Sequence, residues 1–258
     1  MSFKDHFSAR ATLYAAYRPA YPEALFDILA ALPARLRTAL DCATGNGQAA
    51  IGLVKRFERV VATDASAEQI DNALPHPRIE YRVARADESG LPRHSVDLVT
   101  AAQALHWLHA PPFFAEAERV LADDGAIAIW GYGDPALDFD ALDRTLREFN
   151  RGLLNDYWPP ERKLLLDGYR SIDFPFEEVA VPTLTLEMHW TLAELAGYLR
   201  TWSATARYMA EHDADPVIDV EKALAVHWGD SQKPRIVRWP LYLRAGRIRR
   251  HDSRKRSG

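Results

Sequence analysis

The chain has 258 residues, of which 48% are hydrophobic and 26% charged, as in an ordinary globular protein. Its formal net charge of −4 provides no overall basic surface for a nucleic acid, and no apolar run is long enough to span a bilayer. Cys42 is the only cysteine, so the sequence offers neither an intrachain disulfide nor a cysteine metal cluster. We therefore expect a cytoplasmic protein, a monomer or homodimer, without a metal and without binding nucleic acid or membrane.

Apolar segments and amphipathic segments alternate in the first half of the chain. The apolar segments predict strands at 38–42, 59–64, 79–84, 95–102 and 125–132, and the amphipathic segments predict helices at 46–57, 66–74 and 111–121. Strands that are almost wholly apolar and separated by helices indicate a parallel sheet covered on both faces. The predicted fold class is α/β: a doubly wound, Rossmann-like, seven-stranded, mostly parallel sheet with helical cap elements.

The flanking segments complete this plan. A helix is predicted at 21–32, with Pro22 at an early helical position, and a second at 142–154. A strand interrupted at Pro182 follows, then one long helix over 191–209, then a strand near 234–246 in which Pro240 suits an edge or a bulge better than a central ladder. We expect an N-terminal helical segment (1–34), a ligand-binding core (35–135), cap helices with the last two strands of the same domain (136–246), and a basic tail (247–258).

The stretch "ALDCATGNGQAA", residues 39–50, follows the first strand, where open α/β sheets bind their ligands. Its G-x-G-x-x-A pattern and Asp64, 19 residues after Gly45, fit a dinucleotide and hence an NAD(P)-dependent oxidoreductase. Asp41 favours another ligand, because its carboxylate would repel a pyrophosphate and attract the ammonium and sulfonium of S-adenosylmethionine. A loop that only closes a turn is the third alternative.

Four motifs occur in order: "LDCATGNGQ", "VVATDASAEQI", "ARADESGLPRHSVDLVTAAQALHW" and "LADDGAIAIWGY". Over residues 35–135 they resemble class I S-adenosylmethionine-dependent methyltransferases. The segments "YAAYRPAYP" and "WTLAELAGYLRTWSATARY" are similar to a subgroup that includes trans-aconitate methyltransferases and related enzymes that methylate small carboxylic acids. The resemblance implies methyl transfer from S-adenosylmethionine to a small molecule, with a carboxylate oxygen as the favoured acceptor. A protein of this fold that binds the cofactor without catalysis remains an alternative.

The resemblance also implies the residues that hold the cofactor. It makes 1–34 a flap over the cofactor and assigns roles to loop residues, to the acid of the second strand and to residues after the third and fourth strands. Those residues are Tyr14 and Arg18 in the flap, Asp41, Ala43, Gly45 and Gly47 in the loop, Asp64 with Ala65, Ala86 with Asp87, and Gln103. Ala43 stands where the family usually has glycine, and we expect its small side chain to be tolerated.

The acceptor side is less sharply defined by the sequence. His106 is the candidate general base, because the unperturbed pKa of histidine suits proton transfer near neutral pH, although it could simply pack beside Trp107. Arg200, Ser203 and Arg207 fall at helical spacing, and arginine binds carboxylates through a fork of donors, although such a stripe is also typical of a solvated face. We expect acceptor contacts from Trp107, Tyr198, Arg200 and Arg207, while carboxyl, phenolic, nitrogen and carbon acceptors stay open.

Overall fold

The computed structural model of the chain describes residues 17–248, and Tyr14 and the end of the tail lie outside them. The described residues divide into two compact units, which are treated separately below. The sheet unit comprises residues 21–132, 163–184 and 241–248, and the helical unit comprises 17–20, 133–162 and 185–240. The region expected as 136–246 therefore contributes to both units, because 163–184 and 241–246 group with the sheet.

The elements follow one another in this order. They are α1 (Glu23–Ala30), β1 (Thr38–Cys42), α2 (Gln48–Leu53), β2 (Arg59–Asp64), α3 (Ala67–Asp71), β3 (Ile79–Val83), β4 (Val96–Ala102), a 3-10 turn (Leu105–Trp107), α4 (Ala110–Val120), β5 (Leu121–Tyr132), β6 (Ala136–Leu137), α5 (Asp140–Arg147) with a π-helical extension (Glu148–Leu153), a 3-10 turn (Asn155–Tyr157), α6 (Arg162–Leu166), β7 (Glu177–Val179), β8 (Leu184–Trp190), α7 (Leu192–Arg200), α8 (Ser203–His212), α9 (Val217–Trp228) and β9 (Arg235–Arg247). No helix in this part of the chain has the length and apolar character needed to cross a membrane.

The sheet unit contains the predicted Rossmann-like sheet. Its strands lie in the order β3-β2-β1-β4-β5-β9-β7. The first five strands in this order are parallel to one another, and β9 is antiparallel to both β5 and β7. The strand order reverses beside β1, because β2 lies on one side of it and β4 on the other. This is the point at which an open α/β sheet binds its ligand, beyond the carboxyl ends of the strands.

Burial explains why the inner strands form. Leu40 of β1, Val61 of β2 and Val99 of β4 are fully buried, as are most of their neighbours along these strands. Apolar side chains on both faces of a strand require a helical layer on each side. Cys42 is also buried, and burial raises the pKa of its thiol, so it is a packing residue.

The predicted long helix over 191–209 is wrong, since it is broken between α7 and α8. Trp202 is extended, with φ −68° and ψ 139°. The Thr201 hydroxyl donates to the Tyr198 carbonyl at 2.6 Å and the Thr205 hydroxyl to the Leu199 carbonyl at 2.8 Å, so side chains satisfy carbonyls at the end of α7. The apolar spacing continues across the break, which is why the sequence pattern missed it.

Pro240 lies inside β9 rather than at a sheet edge. Within β9, Val237 and Arg238 pair with β6, while Leu241 and the residues after it pair with β5. Pro240 falls where the partner strand changes, and its carbonyl accepts a hydrogen bond from the Gly133 amide at 2.9 Å. A residue without an N–H is tolerated there because the β5 and β6 ladders both stop short of it.

The start of the expected basic tail also belongs to a strand. Arg247 is the last residue of β9, and its Nη2 donates to the Leu32 carbonyl at 2.8 Å. The predicted tail at 247–258 therefore begins later than expected, because this arginine is fixed by a backbone acceptor.

Replacement of Gly52 in α2 tests the contact between the first two helices. A Cβ at this position would lie 1.9 Å from the Phe26 ring, so Gly52→Ala should lower the free energy of unfolding by about 1–3 kcal/mol through overpacking. Gly152→Ala is the matched control, because a Cβ there meets no atom within 4 Å. Urea unfolding of both variants gives the measurement, and equal stability of the two would contradict this packing.

Candidate active site

The loop that joins β1 to α2 has an unusual backbone. Ala43, Gly45 and Gly47 have φ angles of 52°, 57° and 84°, all in the left-handed region. Glycine adopts this region readily, whereas a residue with a Cβ is strained there by about 1–2 kcal/mol. Ala43 is accommodated in the loop as expected, and it carries this backbone strain.

Asp41 lies at the carboxyl end of β1, but its carboxylate is completely buried. One oxygen accepts from the Thr44 hydroxyl at 2.5 Å and the other from the Thr100 hydroxyl at 2.7 Å. Burial raises the pKa of Asp41 to about 6, and the two hydroxyl donors oppose that rise. We expected the Asp41 carboxylate to face the ligand directly, but it lies inside the protein. It fixes the loop to β1 and β4, and a direct contact with the cofactor remains a prediction.

Asp64 ends β2 and is half-buried beside the same loop. Its two carboxylate oxygens accept from the Gly45 and Ser66 amides, each at 2.9 Å. A carboxylate has about four acceptor positions, so lone pairs remain for the two hydroxyls of a ribose. Ala65, which follows it, is exposed.

Gly47 is required by the close approach of a tyrosine from β3. A Cβ at Gly47 would lie 2.3 Å from the Tyr81 hydroxyl oxygen, which is too close for a carbon and an oxygen that are not bonded. That hydroxyl donates to the Leu74 carbonyl at 2.7 Å, and burial raises the pKa of Tyr81 to about 12. The glycine pattern therefore serves packing as well as access to the loop backbone.

Ala86 and Asp87 are the pair expected at the adenine edge, and Asp87 already has a partner within the protein. Ala86 is half-buried against the core of the sheet unit. The Asp87 carboxylate accepts from Arg85 Nε at 2.8 Å and Nη2 at 2.7 Å, and this bidentate pair lowers its pKa. A contact between Asp87 and an adenine amine stays a prediction, and it would have to share the carboxylate with Arg85.

Gln103 follows β4 directly and has a left-handed backbone, with φ 54°. Its backbone amide donates to the Trp130 carbonyl at 2.7 Å, which fixes the turn against β5. Its side-chain oxygen is buried and accepts no hydrogen bond from the residues in 17–248. Glycine is needed at the neighbouring position 131, because a Cβ there would lie 2.6 Å from this oxygen. Gln103 thus presents an acceptor at the carboxyl ends of β4 and β5.

His106 contacts a tyrosine that belongs to no sequence motif. Its Nδ1 lies 3.0 Å from the Tyr169 hydroxyl, and the two rings stack with centroids 6.1 Å apart. Tyr169 is fully buried with φ 61°, and burial raises its pKa, so it remains a neutral phenol. Trp107 packs on the other side of His106 and is 56% exposed. The imidazole is therefore held in place by a buried hydroxyl.

The arginines expected to bind the acceptor lie on different helices. Arg200 ends α7, where it pairs with Asp215 at 2.8 Å and Glu221 at 3.3 Å. Arg207 is an exposed residue of α8 that donates to the Tyr157 carbonyl at 3.4 Å. Because the helix breaks between them, the predicted stripe through Ser203 does not form. Two carboxylates already neutralise Arg200.

Tyr198, Arg18 and Tyr14 are the remaining residues expected to contact the acceptor or the cofactor. Tyr198 is buried, and its hydroxyl accepts from Trp239 Nε1 at 3.0 Å. Arg18 is half-buried, and Tyr14 lies outside the described residues. The Tyr17 ring packs against α7 so closely that a Cβ at Gly197 would lie 2.7 Å from it. A flap role for the N-terminal segment remains a prediction.

These features together fit a nucleoside bearing a positive charge. The loop backbone is open at Gly45, where a Cβ would meet no atom nearer than 3.7 Å. Asp64 offers acceptors to a ribose, Gln103 offers a buried oxygen, and the ionised form of Asp41 adds negative potential beneath the loop. Sequence reasoning missed Thr44, Thr100 and Tyr169, because the role of each hydroxyl depends on a partner that it meets only on folding.

Known proteins are similar to this chain over most of its length. The family described as the methyltransferase domain matches residues 40–129. A protein of Dictyostelium discoideum that bears the name methyltransferase is 32% identical over 248 residues, which cover 93% of this chain and 94% of that protein. A Saccharomyces cerevisiae protein named as an S-adenosylmethionine-dependent methyltransferase is 24% identical and covers 87% of this chain and 91% of its own length.

One solved structure is similar to this chain over nearly its whole length. It is that of a type II methyltransferase from Anaeromyxobacter dehalogenans, with 43% sequence identity and a TM-score of 0.86, and the match covers 92% of this chain and all 100% of that one.

The buried Asp41 predicts a pH dependence of stability in the protein without ligand. Its folded pKa is raised from 3.8 to about 6, so the folded state binds a proton between these values and the unfolded state does not. The free energy of unfolding should therefore rise by up to about 3 kcal/mol as the pH falls from about 7 to about 4. Asp41→Asn should remove this term, so the variant should be more stable than the native chain at pH 8 and equal to it near pH 4.

Urea unfolding across this pH range gives the measurement. Asp71→Asn, an exposed carboxylate of α3, controls for the change in net charge. A constant difference between the native chain and Asp41→Asn at all pH values would refute the raised pKa.

Proposed function

Because the chain belongs to the family of class I S-adenosylmethionine-dependent methyltransferases, we propose that it methylates the oxygen of a small carboxylic acid. The single observation that carries the cofactor assignment is the pairing of the left-handed glycine loop with the Asp64 carboxylate at the reversal point of the sheet. A pyrophosphate is disfavoured there, because the ionised Asp41 carboxylate would oppose it.

When bound, the cofactor would supply an electrophilic methyl group: an acceptor lone pair forms the bond to the methyl carbon, and the electrons of the broken C–S bond stay on the sulfur. The chain's own residues then have three tasks. Asp64 holds the ribose, Gln103 accepts from the ammonium group, and the loop from Ala43 to Gly47 lies against the methionine portion. Alignment of the reacting atoms accounts for most of the rate enhancement in a displacement of this kind, because a sulfonium is already activated.

A carboxylate acceptor agrees with the state of His106. Carboxylic acids are ionised at neutral pH, so their oxygen needs no base, whereas a phenol or an alcohol does. His106 Nδ1 is already engaged by the hydroxyl of a neutral, buried tyrosine. We infer that His106 shapes the site rather than removing a proton. The similarity of two segments to methyltransferases of small carboxylic acids supports the same acceptor.

Cofactor binding gives the first test. The native protein should bind S-adenosylhomocysteine in isothermal titration calorimetry, and Asp64→Ala should weaken binding by roughly 10- to 100-fold, because a charged acceptor for the ribose is lost. Glu68→Ala, which removes an exposed carboxylate one turn further along the chain, should change it less than twofold. Binding of NADH in place of S-adenosylhomocysteine would reject the assignment.

The role of His106 gives the second test. His106→Asn keeps a polar group near the position of Nδ1 and removes the second ring nitrogen. If the acceptor is a carboxylate, kcat measured with a panel of small acids should fall less than tenfold. A loss of about 10²- to 10⁴-fold with S-adenosylhomocysteine affinity retained is the signature of a general base, and it would point to a phenol or alcohol acceptor instead.

A further inference from the structure

Tyr169 has a backbone conformation that residues with a side chain rarely adopt, and several contacts hold it there. It follows α6 and Gly168, and the two residues have φ angles of 61° and 68°. The Tyr169 amide donates to the Leu164 carbonyl at 2.8 Å, and the Tyr169 carbonyl accepts from Arg244 Nη1 at 2.6 Å. Such a conformation persists only where the surrounding structure enforces it, and it is concentrated at functional sites. The turn therefore fixes the point at which the Tyr169 ring enters the core of the sheet unit.

The Tyr169 ring carries its hydroxyl to the carboxyl ends of β4 and β5. The residue is fully buried, and it belongs to the sheet unit together with His106 and Gln103. A Cβ at Gly131, near the end of β5, would lie 3.0 Å from the Tyr169 hydroxyl oxygen and 2.6 Å from Gln103 Oε1. The hydroxyl is therefore beside the residue that we assign to the ammonium group of the cofactor.

The direction of the hydrogen bond between Tyr169 and His106 follows from burial. The Tyr169 hydroxyl oxygen lies 3.0 Å from His106 Nδ1, which is its one hydrogen-bond partner within residues 17–248. Gln103 Oε1 lies nearby but accepts no hydrogen bond from this hydroxyl. A buried O–H group that does not donate loses its bond to water without a replacement, so the phenol donates to Nδ1. A neutral imidazole that accepts at Nδ1 carries its proton on Nε2.

Two aromatic contacts keep the His106 ring in this orientation. The Tyr169 ring stacks on it with the two planes 19° apart, and the centroid of the Trp107 ring lies 4.8 Å from that of His106. Leu105, which begins the same 3-10 turn, is buried and anchors the turn in the core. The orientation and the tautomer are thus fixed by the folded chain, which lowers the cost of ordering the imidazole when a ligand binds.

An imidazole in this tautomer offers a hydrogen-bond donor at Nε2 and no basic nitrogen there. An ionised carboxylate only accepts hydrogen bonds, and a bond from an N–H to a charged oxygen is stronger than one to a neutral oxygen. Methylation removes the negative charge of the acid. Such a donor therefore stabilises the bound acid more than the transition state, and its effect falls on KM rather than on kcat.

We propose that Tyr169 holds His106 in the tautomer protonated at Nε2, and that this N–H donates to the carboxylate of the methyl acceptor. His106 is a binding residue in this assignment, and Tyr169 is a positioning residue because it acts through the imidazole. The use of the N–H in acceptor binding rests on the proposed function, whereas the tautomer is independent of which acceptor is methylated.

Nitrogen NMR tests the tautomer in the full chain, labelled with ¹⁵N in its nine histidines and saturated with S-adenosylhomocysteine. The signals that disappear in His106→Gln are those of His106. At pH 8 the native protein should show a protonated Nε2 and an unprotonated Nδ1. Tyr169→Phe removes only the hydroxyl, so it should move the Nδ1 signal towards that of a nitrogen without a hydrogen bond.

Tyr242→Phe is the matched control for this spectrum. It removes the hydroxyl of a tyrosine in β9 whose ring lies 3.5 Å from the position of a Cβ on Gly168, and it should leave both His106 signals unchanged. A native spectrum with the proton on Nδ1, or unchanged His106 signals in Tyr169→Phe, would overturn the proposal. The native spectrum decides the tautomer even if Tyr169→Phe does not fold.

Steady-state kinetics test the use of the N–H, with the best substrate of the acid panel. Tyr169→Phe should raise KM by about 3- to 10-fold with a smaller change in kcat, because the donor loses its fixed orientation. His106→Leu, which has no donor, should raise KM by about 10- to 100-fold. His106→Gln keeps an amide donor and cannot take up a proton, so it should raise KM less than His106→Leu does. A native KM in His106→Leu, or a loss confined to kcat, would refute the donor role.

The failure of the proposed function has a different signature. If the native enzyme methylates carboxylic acids but carries the His106 proton on Nδ1, the inference fails and the proposed function stands. If the proton is on Nε2 but the enzyme methylates only phenols or amines, the carboxylate acceptor is wrong. The donor role then falls with it, and the tautomer assignment stands.

Discussion

The burial of the Asp41 carboxylate between two threonine hydroxyls is the constraint on which the site depends. Asp41 and Thr100 are direct partners in the parallel pairing of β1 with β4, and Thr44 is in the loop itself. The carboxylate therefore joins two neighbouring strands and the loop at the reversal point of the sheet. Ionisation at this position is costly, since burial raises the pKa, and a cation bound above the loop would recover part of that cost. The negative charge acts through space and needs no direct contact to favour a sulfonium compound.

The loop transmits this constraint to β2. Gly45 donates its amide to Asp64, and the Thr44 amide donates to the Thr63 carbonyl at 2.9 Å. Asp64, the residue proposed to hold the ribose, is therefore oriented by the same loop that hydrogen-bonds to Asp41. Strain at Ala43 is tolerated because hydrogen bonds on both sides leave the backbone no other conformation.

The sequence contained enough information for the sheet and for the cofactor loop. Each inner strand is an apolar run ending at a polar or small residue, so strand positions were predicted within one or two residues, apart from the early start of β5. The break at Trp202 was missed, because the apolar period of 3.6 continues through a residue whose backbone is extended. Pro240 lies outside a continuous ladder, as its missing N–H requires, but the strand ends that make room for it follow from the partner strands and not from a local pattern.

The acceptor side was harder to predict for the same reason. Tyr169 reaches His106 from a segment 63 residues later in the chain. It belongs to no motif, and it is significant only through its burial and the partner that it gains on folding. Spacing along one helix, which suggested Arg200 and Arg207, carries no information about whether a charge is already neutralised.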